Sequence, residues 1–308
     1  MRDKHSVVFF GNERIATGLT KSNLPTLNKL IDSGYKIDAI FSPNKKTTSR
    51  NEYQLETFEF ARLHSIPIYT DYSQTQLQNI LNDLPAQIGV LVAYGRIVPQ
   101  SIIDHFKYGI INIHPSLLPK YRGSTPIETA ILDGAKNTGV SIMQLSSRMD
   151  AGPVFVQKKI HLDDIESKQD IANKLNALGA DILVDNIEQI VSNKLKPKPQ
   201  KGDVSECKKI SKGDGIIDTN DTADFALRKI RAYSGWPKSH LLLNDKDLII
   251  LSAKPSNIKT KSDDISIVDG KLVLMCNNSS LEITSLQLSG KKPMDAKSFI
   301  NGYKDLIG

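Results

Sequence analysis

The densest polar constellation in the chain is Asn112-Ile113-His114-Pro115-Ser116-Leu117-Leu118-Pro119-Lys120-Tyr121-Arg122-Gly123. It is entered from the apolar run Gly109–Ile111 and left into a segment with helical periodicity beginning near Ser124. Residues two apart in a strand face one side, so Asn112 and His114 project together from the strand's carboxyl end. Open parallel sheets bind ligands at that end. An amide beside an imidazole can hold a polar substrate and donate or exchange a proton. Pro115 and Pro119 keep the next stretch extended and delay the helix, giving a stiff wall for a pocket. The same pattern is open to a plainer reading, in which His114 caps a neighbouring element and Asn112 ties down a turn. A second polar point, Met149-Asp150-Ala151-Gly152-Pro153, lies between two apolar runs. By itself it is a good turn, with Asp bonding local amides and Gly taking positive φ. Together with Asn112 and His114 it becomes a candidate third member of a site.

Several other chemistries are absent from the sequence. Gly11 and Gly18 flank the exit of the first apolar run, yet GNERIATG does not supply G-x-G-x-x-G before a helix, and no acidic residue closes the second strand. A dinucleotide site is therefore not expected. No G-x-x-x-x-G-K-[ST], H-E-x-x-H or G-x-S-x-G occurs, which removes P-loop phosphoryl transfer, zinc proteolysis and the serine-hydrolase elbow. Cys207 and Cys276 are the only cysteines, too few and too far apart for a disulfide scaffold or a thiolate zinc site. No metal is expected.

The elements that must position the polar residues follow from periodicity. Short apolar runs alternate with helical segments through the first half, the pattern of a βαβ protein with a mostly parallel sheet. Strands are expected at Val7–Phe10, Lys36–Phe41, Pro67–Tyr69, Ile88–Ala93 and Ile110–Ile113. Helices are expected at Leu24–Ser33, Glu52–His64, Gln74–Leu81, Pro99–His105 and Pro126–Leu132. Val140–Leu145 and Val154–Ile160 read as antiparallel strands, and Lys168–Val191 as a long amphipathic helix. A first domain is expected over 1–191. Residues 192–206 contain Lys-Pro-Lys-Pro and little apolar content, the composition of an extended linker. Residues 207–308 then show short β runs at Ser239–Leu243, Leu248–Ala253, Ile265–Val268, Leu272–Cys276 and Leu281–Leu288. Asn-Asp, Asp-Gly and Asn-Asn turns separate them, and helices are expected at Thr222–Arg231 and Asp295–Asn301, as in a small antiparallel barrel.

With 308 residues, 39% of them hydrophobic, the chain can bury a core in about two domains. Met1 to His5 is charged and no run of about 18 apolar residues follows, so a soluble cytoplasmic protein is expected. The formal charge of +6 tilts the chain toward polyanions. Lys194, Lys196, Lys198, Lys201, Lys208, Lys209 and Lys212 cluster against only Asp203 and Glu206. They suit a phosphate backbone or a solvated linker equally.

The pieces VAYGRIVP (Val92–Pro99), NIHPSLLPKYRGSTPI (Asn112–Ile127) and TGVSIMQLSSRMDAG (Thr138–Gly152) resemble the core of the methionyl-tRNA formyltransferase family, which uses 10-formyltetrahydrofolate. The resemblance continues through Ile210–Thr219, the segment Arg231–Pro237 around Trp236, and Leu286–Met294, so that it covers nearly the whole chain. It implies a Rossmann-like N-terminal formyltransferase domain and a C-terminal OB-like β-barrel domain that helps to bind tRNA. It also implies a catalytic set of Asn112, His114 and Asp150, and a folate-binding loop at Ser116, Leu117, Leu118 and Pro119. The acceptor it implies is the amino group of initiator methionyl-tRNA, formylated for translation initiation by a monomer. Two segments depart from the family. Gly11-Asn12-Glu13-Arg14 replaces a Gly-Thr-Pro-like turn, and the basic loop Ser42–Arg50 keeps charge but lacks glycines, so neither segment's contacts are carried over.

Formyl transfer to an amine passes through a tetrahedral stage that places charge on the carbonyl oxygen. Asn112 and His114 can donate to that oxygen, each donor being worth about 3 kcal/mol. Asp150 can orient His114 or accept the amine's proton. A neutral α-amine, with a pKa near 8 in simple models, needs no serine or cysteine nucleophile. A sugar-nucleotide N-formyltransferase or a 10-formyltetrahydrofolate hydrolase would share the core, and a non-catalytic RNA-binding protein would keep only the basic face. The lysines of the linker, with Lys208-Lys209 and Lys291-Lys292, favour RNA over a nucleotide sugar.

Overall fold

A computed structural model describes residues 4–19, 21–43, 56–243, 246–258, 265–277 and 279–307. Residues 44–50 of the basic loop, 52–55 of the expected Glu52–His64 helix, the Asn244-Asp245 turn and Asn278 lie outside the described residues. The described chain groups into two compact units. One comprises Met1–Ile127, Asn137–Leu162 and Gln169–Lys208, and the other Glu128–Lys136, Asp163–Lys168 and Lys209–Gly308.

In chain order the first part of the molecule runs β1 (Ser6–Gly11), α1 (Pro25–Asp32), β2 (Lys36–Phe41), α2 (Glu56–Leu63), β3 (Ile68–Tyr69), α3 (Gln74–Asn82) and β4 (Ile88–Val92). It continues with α4 (Gln100–Ile103), β5 (Ile110–His114), α5 (Pro126–Leu132), β6 (Asn137–Gln144), β7 (Val154–His161) and α6 (Lys168–Val191). β4 and β5 are buried along their whole length and β1 after its first residue, which suits strands covered on both faces. The seven strands form one sheet in the order β3-β2-β1-β4-β5-β6-β7, parallel from β3 to β5 and antiparallel at β6 and β7. That is the mostly parallel sheet with an antiparallel edge that the alternating pattern predicts.

The chain turns from one side of the sheet to the other between β1 and β4, and the approach there is close. A Cβ on Gly11 would lie 1.8 Å from the Val92 carbonyl oxygen, and Gly11 takes φ +125, so only glycine fits. The same carbonyl then accepts the amides of Asn12 and Glu13 at 3.2 and 3.3 Å. Glu13 reaches across to α1, whose preceding residue, Leu24, offers no side-chain cap. Its carboxylate accepts the amides of Thr26 and Leu27, both at 2.9 Å, replacing a local cap with a remote one. Burial pushes the Glu13 carboxyl up to about 7, although the two amides pull the other way.

The second unit carries α7 (Ala223–Ala232), β8 (His240–Leu243), β9 (Lys246–Ser256), β10 (Ile265–Val268), β11 (Lys271–Met275), β12 (Ser280–Leu288), β13 (Met294–Asp295) and α8 (Ala296–Tyr303). Its antiparallel sheet runs β10-β11-β12-β9-β8, with β13 also on β12. Leu248, Ile250, Leu272, Leu274, Leu281, Ile283 and Leu286 alternate inward and pack with Ala226 and Phe299 of the two helices. The antiparallel β character expected of this region is observed. The helix expected from Asp295 starts one residue later, because Asp295 pairs in β13 and spends its side chain as the N-cap, accepting the Ser298 amide at 2.8 Å. A two-residue strand has too little pattern to be read from sequence.

Candidate active site

Asn112 and His114 lie on β5 with side chains on the same face, as period two requires, and both are buried at 5% and 4% exposure. Asp150 comes from the turn between β6 and β7, 38 residues beyond Asn112. The sheet order brings the two strands together, since β6 pairs with β5 in the register Asn112 to Met143 and His114 to Ser141. All three candidate catalytic residues meet. The Asp150 Oδ1 atom is 3.5 Å from the Asn112 amide nitrogen and 3.6 Å from His114 Nδ1, while Oδ2 accepts the Gly123 amide at 2.8 Å.

The imidazole is fixed from its other side. His114 Nε2 lies 2.9 Å from the Tyr121 carbonyl oxygen, which can only accept, so Nε2 carries a hydrogen in this arrangement. In the neutral ring Nδ1 is then the lone-pair nitrogen, and it faces a carboxylate oxygen across 3.6 Å. This is the geometry of a proton-accepting pair with one hydrogen-bond donor, Asn112, alongside.

The Ser116–Pro119 segment holds itself together with its own polar groups. The Ser116 hydroxyl donates to the Lys120 carbonyl at 2.6 Å, and the buried Ser141 hydroxyl of β6 donates to the Ser116 carbonyl at 2.6 Å. Leu118 donates its amide to Ser141 Oγ at 3.1 Å, and Gln157 of β7 donates to the Leu118 carbonyl at 2.7 Å and to Ser141 Oγ at 2.8 Å. The Leu118–Pro119 peptide is cis. Ser116, Leu118 and Pro119 are buried.

Residues 197–206, expected as part of a basic linker, and Cys207 after them are hydrogen-bonded along the first unit. Lys198 exchanges both backbone hydrogen bonds with Val154 at 2.8 Å. Ser205 accepts the Tyr121 amide on its Oγ at 2.9 Å, donates its own amide to the Pro119 carbonyl at 3.3 Å and accepts the Arg122 amide at 2.9 Å. Cys207 donates to the Arg122 carbonyl at 2.7 Å. Gln200 contacts Arg122 and the Asp150–Gly152 turn. Sequence reasoning missed Ser141, Gln157, Gln200 and Ser205 as neighbours of the site. For Ser141 and Gln157 a signal existed, a polar residue in an apolar strand run; for the other two none did.

Next to the site strand, Tyr94 follows β4 and its hydroxyl lies 2.9 Å from that of Tyr72. Burial raises both phenols, so they remain neutral hydrogen-bonding groups. Arg96 stacks 5.0 Å over the Tyr72 ring. Among the described residues no three His, Cys, Asp or Glu side chains cluster as a metal site, and no helix is long and apolar enough to cross a membrane.

The buried His114 imidazole faces the partly buried Asp150 carboxylate beside the Asn112 amide, at the carboxyl end of a mostly parallel sheet, an arrangement suited to acyl-group transfer. The formyl transferase family model matches residues 20–187 and the model of the formyl transferase C-terminal domain matches residues 209–304, and the chain belongs to the formyl transferase family. The chain is 32% identical over 303 residues to a methionyl-tRNA formyltransferase of Rickettsia bellii, covering 97% of each. Its fold is similar to that of HypX from Aquifex aeolicus, with a TM-score of 0.70 at 16% identity over 99% of this chain, which spans about half (49%) of that protein. It is also similar to an N-formyltransferase from Helicobacter canadensis in complex with folinic acid and dTDP-3-aminofucose. There the TM-score is 0.67 at 18% identity, over 91% of this chain and 99% of that one.

Proposed function

We propose that this enzyme moves the formyl group of 10-formyltetrahydrofolate to the free amino group of methionine on initiator methionyl-tRNA, a cytoplasmic step of translation initiation carried out by a monomer. The observation that carries the chemistry is that Asp150 Oδ1 lies 3.5 Å from the Asn112 amide nitrogen and 3.6 Å from His114 Nδ1 at the end of β5. The acceptor is drawn from the near-full-length likeness to a methionyl-tRNA formyltransferase. The lysines at 194, 196, 198, 201, 208 and 209, suited to a phosphate backbone, support it.

In the reaction the amine nitrogen bonds to the formyl carbon, the bond from that carbon to N10 breaks, the amine gives up one proton and N10 gains one. The Asn112 amide donates to the oxygen on which charge develops. The proton leaving the amine has two acceptors facing one another, His114 Nδ1 and Asp150 Oδ1, and the Tyr121 carbonyl keeps the imidazole turned so that Nδ1 is the one presented. This refines the role read from sequence: His114 can donate an N–H from Nδ1 to the oxyanion only after it has taken a proton. Ser116 to Pro119 shape the wall against which the folate lies. Residues 1–191 form the catalytic domain and 207–308 the tRNA-binding domain in this reading.

The test is formylation of methionyl initiator tRNA by the purified chain with 10-formyltetrahydrofolate. Transfer by the unmodified protein and loss of about 1,000-fold or more in kcat for His114→Ala is expected. Consumption of the folate with dTDP-amino sugar but not with charged tRNA would overturn the acceptor and keep the chemistry.

A further inference from the structure

We infer that Gln200 is a positioning residue for formyl transfer, one that sets the Asp150 turn against the His114 loop from a segment outside both; the inference rests on the reaction proposed above. Asp150 takes a left-handed backbone at φ +46, a conformation uncommon for non-glycine residues although Asp tolerates it better than most. Within the turn the Ala151 amide donates to the Arg148 carbonyl at 3.2 Å, and from outside it one side-chain amide holds both of its ends. Gln200 Nε2 donates to the Asp150 carbonyl and to the Gly152 carbonyl, both at 2.8 Å, so its two hydrogens clamp the two ends of the turn. Its Oε1 accepts from Arg122 Nε at 3.1 Å and from Arg122 Nη2 at 2.7 Å.

These bonds close a circuit. The amide of Gly123, next to Arg122, donates to Asp150 Oδ2 at 2.8 Å, and the carbonyl of Tyr121, before Arg122, holds His114 Nε2 at 2.9 Å. Gln200 therefore ties the backbone of the carboxylate-bearing turn to the side chain in the middle of the loop that orients the imidazole. It spends all of its side-chain hydrogen-bonding capacity there and touches neither Asn112 nor His114 itself. The opposition of Asp150 Oδ1 to His114 Nδ1 spans 3.6 Å, and a shift of the turn by about 1 Å is enough to cost on the order of 100-fold in rate.

The prediction separates positioning from mere stabilisation. Gln200→Ala should lower kcat about 10- to 100-fold while KM for 10-formyltetrahydrofolate and for methionyl-tRNA changes less than threefold. Gln200→Glu keeps the length and the Arg122 contact but places acceptors against the two turn carbonyls, so it should lose as much kcat as the Ala variant while melting near the unmodified protein. It decides the matter if the Ala variant does not fold. In an Asp150→Asn background, Gln200→Ala should cost less than a further twofold, because its effect runs through Asp150. Unmodified protein that formylates methionyl-tRNA, with a Gln200→Glu variant within twofold of it in kcat, would overturn the positioning role and leave the reaction standing. So would full multiplication of the two losses in the double variant. No transfer by the unmodified protein would overturn the reaction and this inference with it.

Discussion

The loop carrying His114 and the turn carrying Asp150 are both held rigid, by opposite means. The loop is braced from beneath by Ser141 and Gln157, two side chains of the sheet on which it sits, and by its own Ser116. The turn is tied to its flanking strand by one backbone bond, from the Gln144 amide to the Pro153 carbonyl at 2.9 Å, and is clamped across its two ends from outside by Gln200, 50 residues further along the chain. The difference teaches that a motif which supplies its own scaffold can be recognised as a unit. A turn that borrows its scaffold looks, in sequence, like any other Asp-Ala-Gly-Pro turn.

The comparison breaks most severely at Gly152. A Cβ there would sit 1.9 Å from the Gln144 carbonyl oxygen at the end of β6, a backbone atom that cannot yield. Gly152→Ala must therefore push the turn off the sheet and out of the reach of Gln200. Stability should fall by about 3 kcal/mol, read as a lower urea midpoint, and kcat about 100-fold. If kcat were retained, the Asp150 turn would not need its present place, and the contrast between the two braces would have no functional content.

The sheet was legible because its physics is local. Val7–Phe10 and Ile88–Val92 carry no polar side chain and Ile110–Ile113 only that of Asn112; all three become strands buried on both faces, and the Lys168–Val191 helix is found at its expected bounds. Asn112 and His114 were legible for the same reason, since alternation alone puts them on one face. Asp150 needed the resemblance, because nothing in its neighbourhood distinguishes a catalytic turn from a structural one. The docking of the segment that carries Gln200 and Ser205 was not legible at all. Prolines and lysines at 194–201 show an extended solvated segment, whereas its contacts, backbone and side chain alike, are made with residues far away in the chain, which leaves no period in the sequence.

Glu13 offers a way to sharpen the comparison away from the site, because it does with two amides what Gln200 does with two carbonyls. It caps α1 from 13 and 14 residues away, fully buried, and burial holds its carboxyl up to about 7 against an ordinary value of 4.5. A raised carboxyl binds its proton more tightly in the folded state, so its contribution to stability is fully present below about pH 4.5 and is lost as pH rises through 7. The loss amounts to at most about 3 kcal/mol. Glu13→Gln removes the titration but keeps only one of the two acceptor oxygens, so it should be the less stable protein at pH 4.5, and that deficit should shrink as pH rises to 8. Denaturant titrations of both proteins across that range check this. Parallel curves would mean that the carboxylate is accommodated charged and that the remote cap is purely a hydrogen-bonding device.

The smallest effect on turnover is expected where the brace is local. Ser141→Ala removes a buried hydroxyl that donates to the Ser116 carbonyl and accepts from Leu118 and Gln157, leaving the Ser116 carbonyl and the Leu118 amide each one partner short. Unpaired buried groups of this kind cost about 2 kcal/mol. The loop nevertheless keeps the Ser116 hydroxyl on Lys120, Gln157 on the Leu118 carbonyl and Ser205 on Pro119, Tyr121 and Arg122. His114 therefore stays in register, and kcat should fall less than tenfold even as the melting temperature drops. That separation of stability from rate, set against the coupled losses at Gly152, is what redundant local bracing produces and a single remote clamp does not. Equal losses of kcat in Ser141→Ala and Gly152→Ala would show instead that the loop and the turn answer to one shared support.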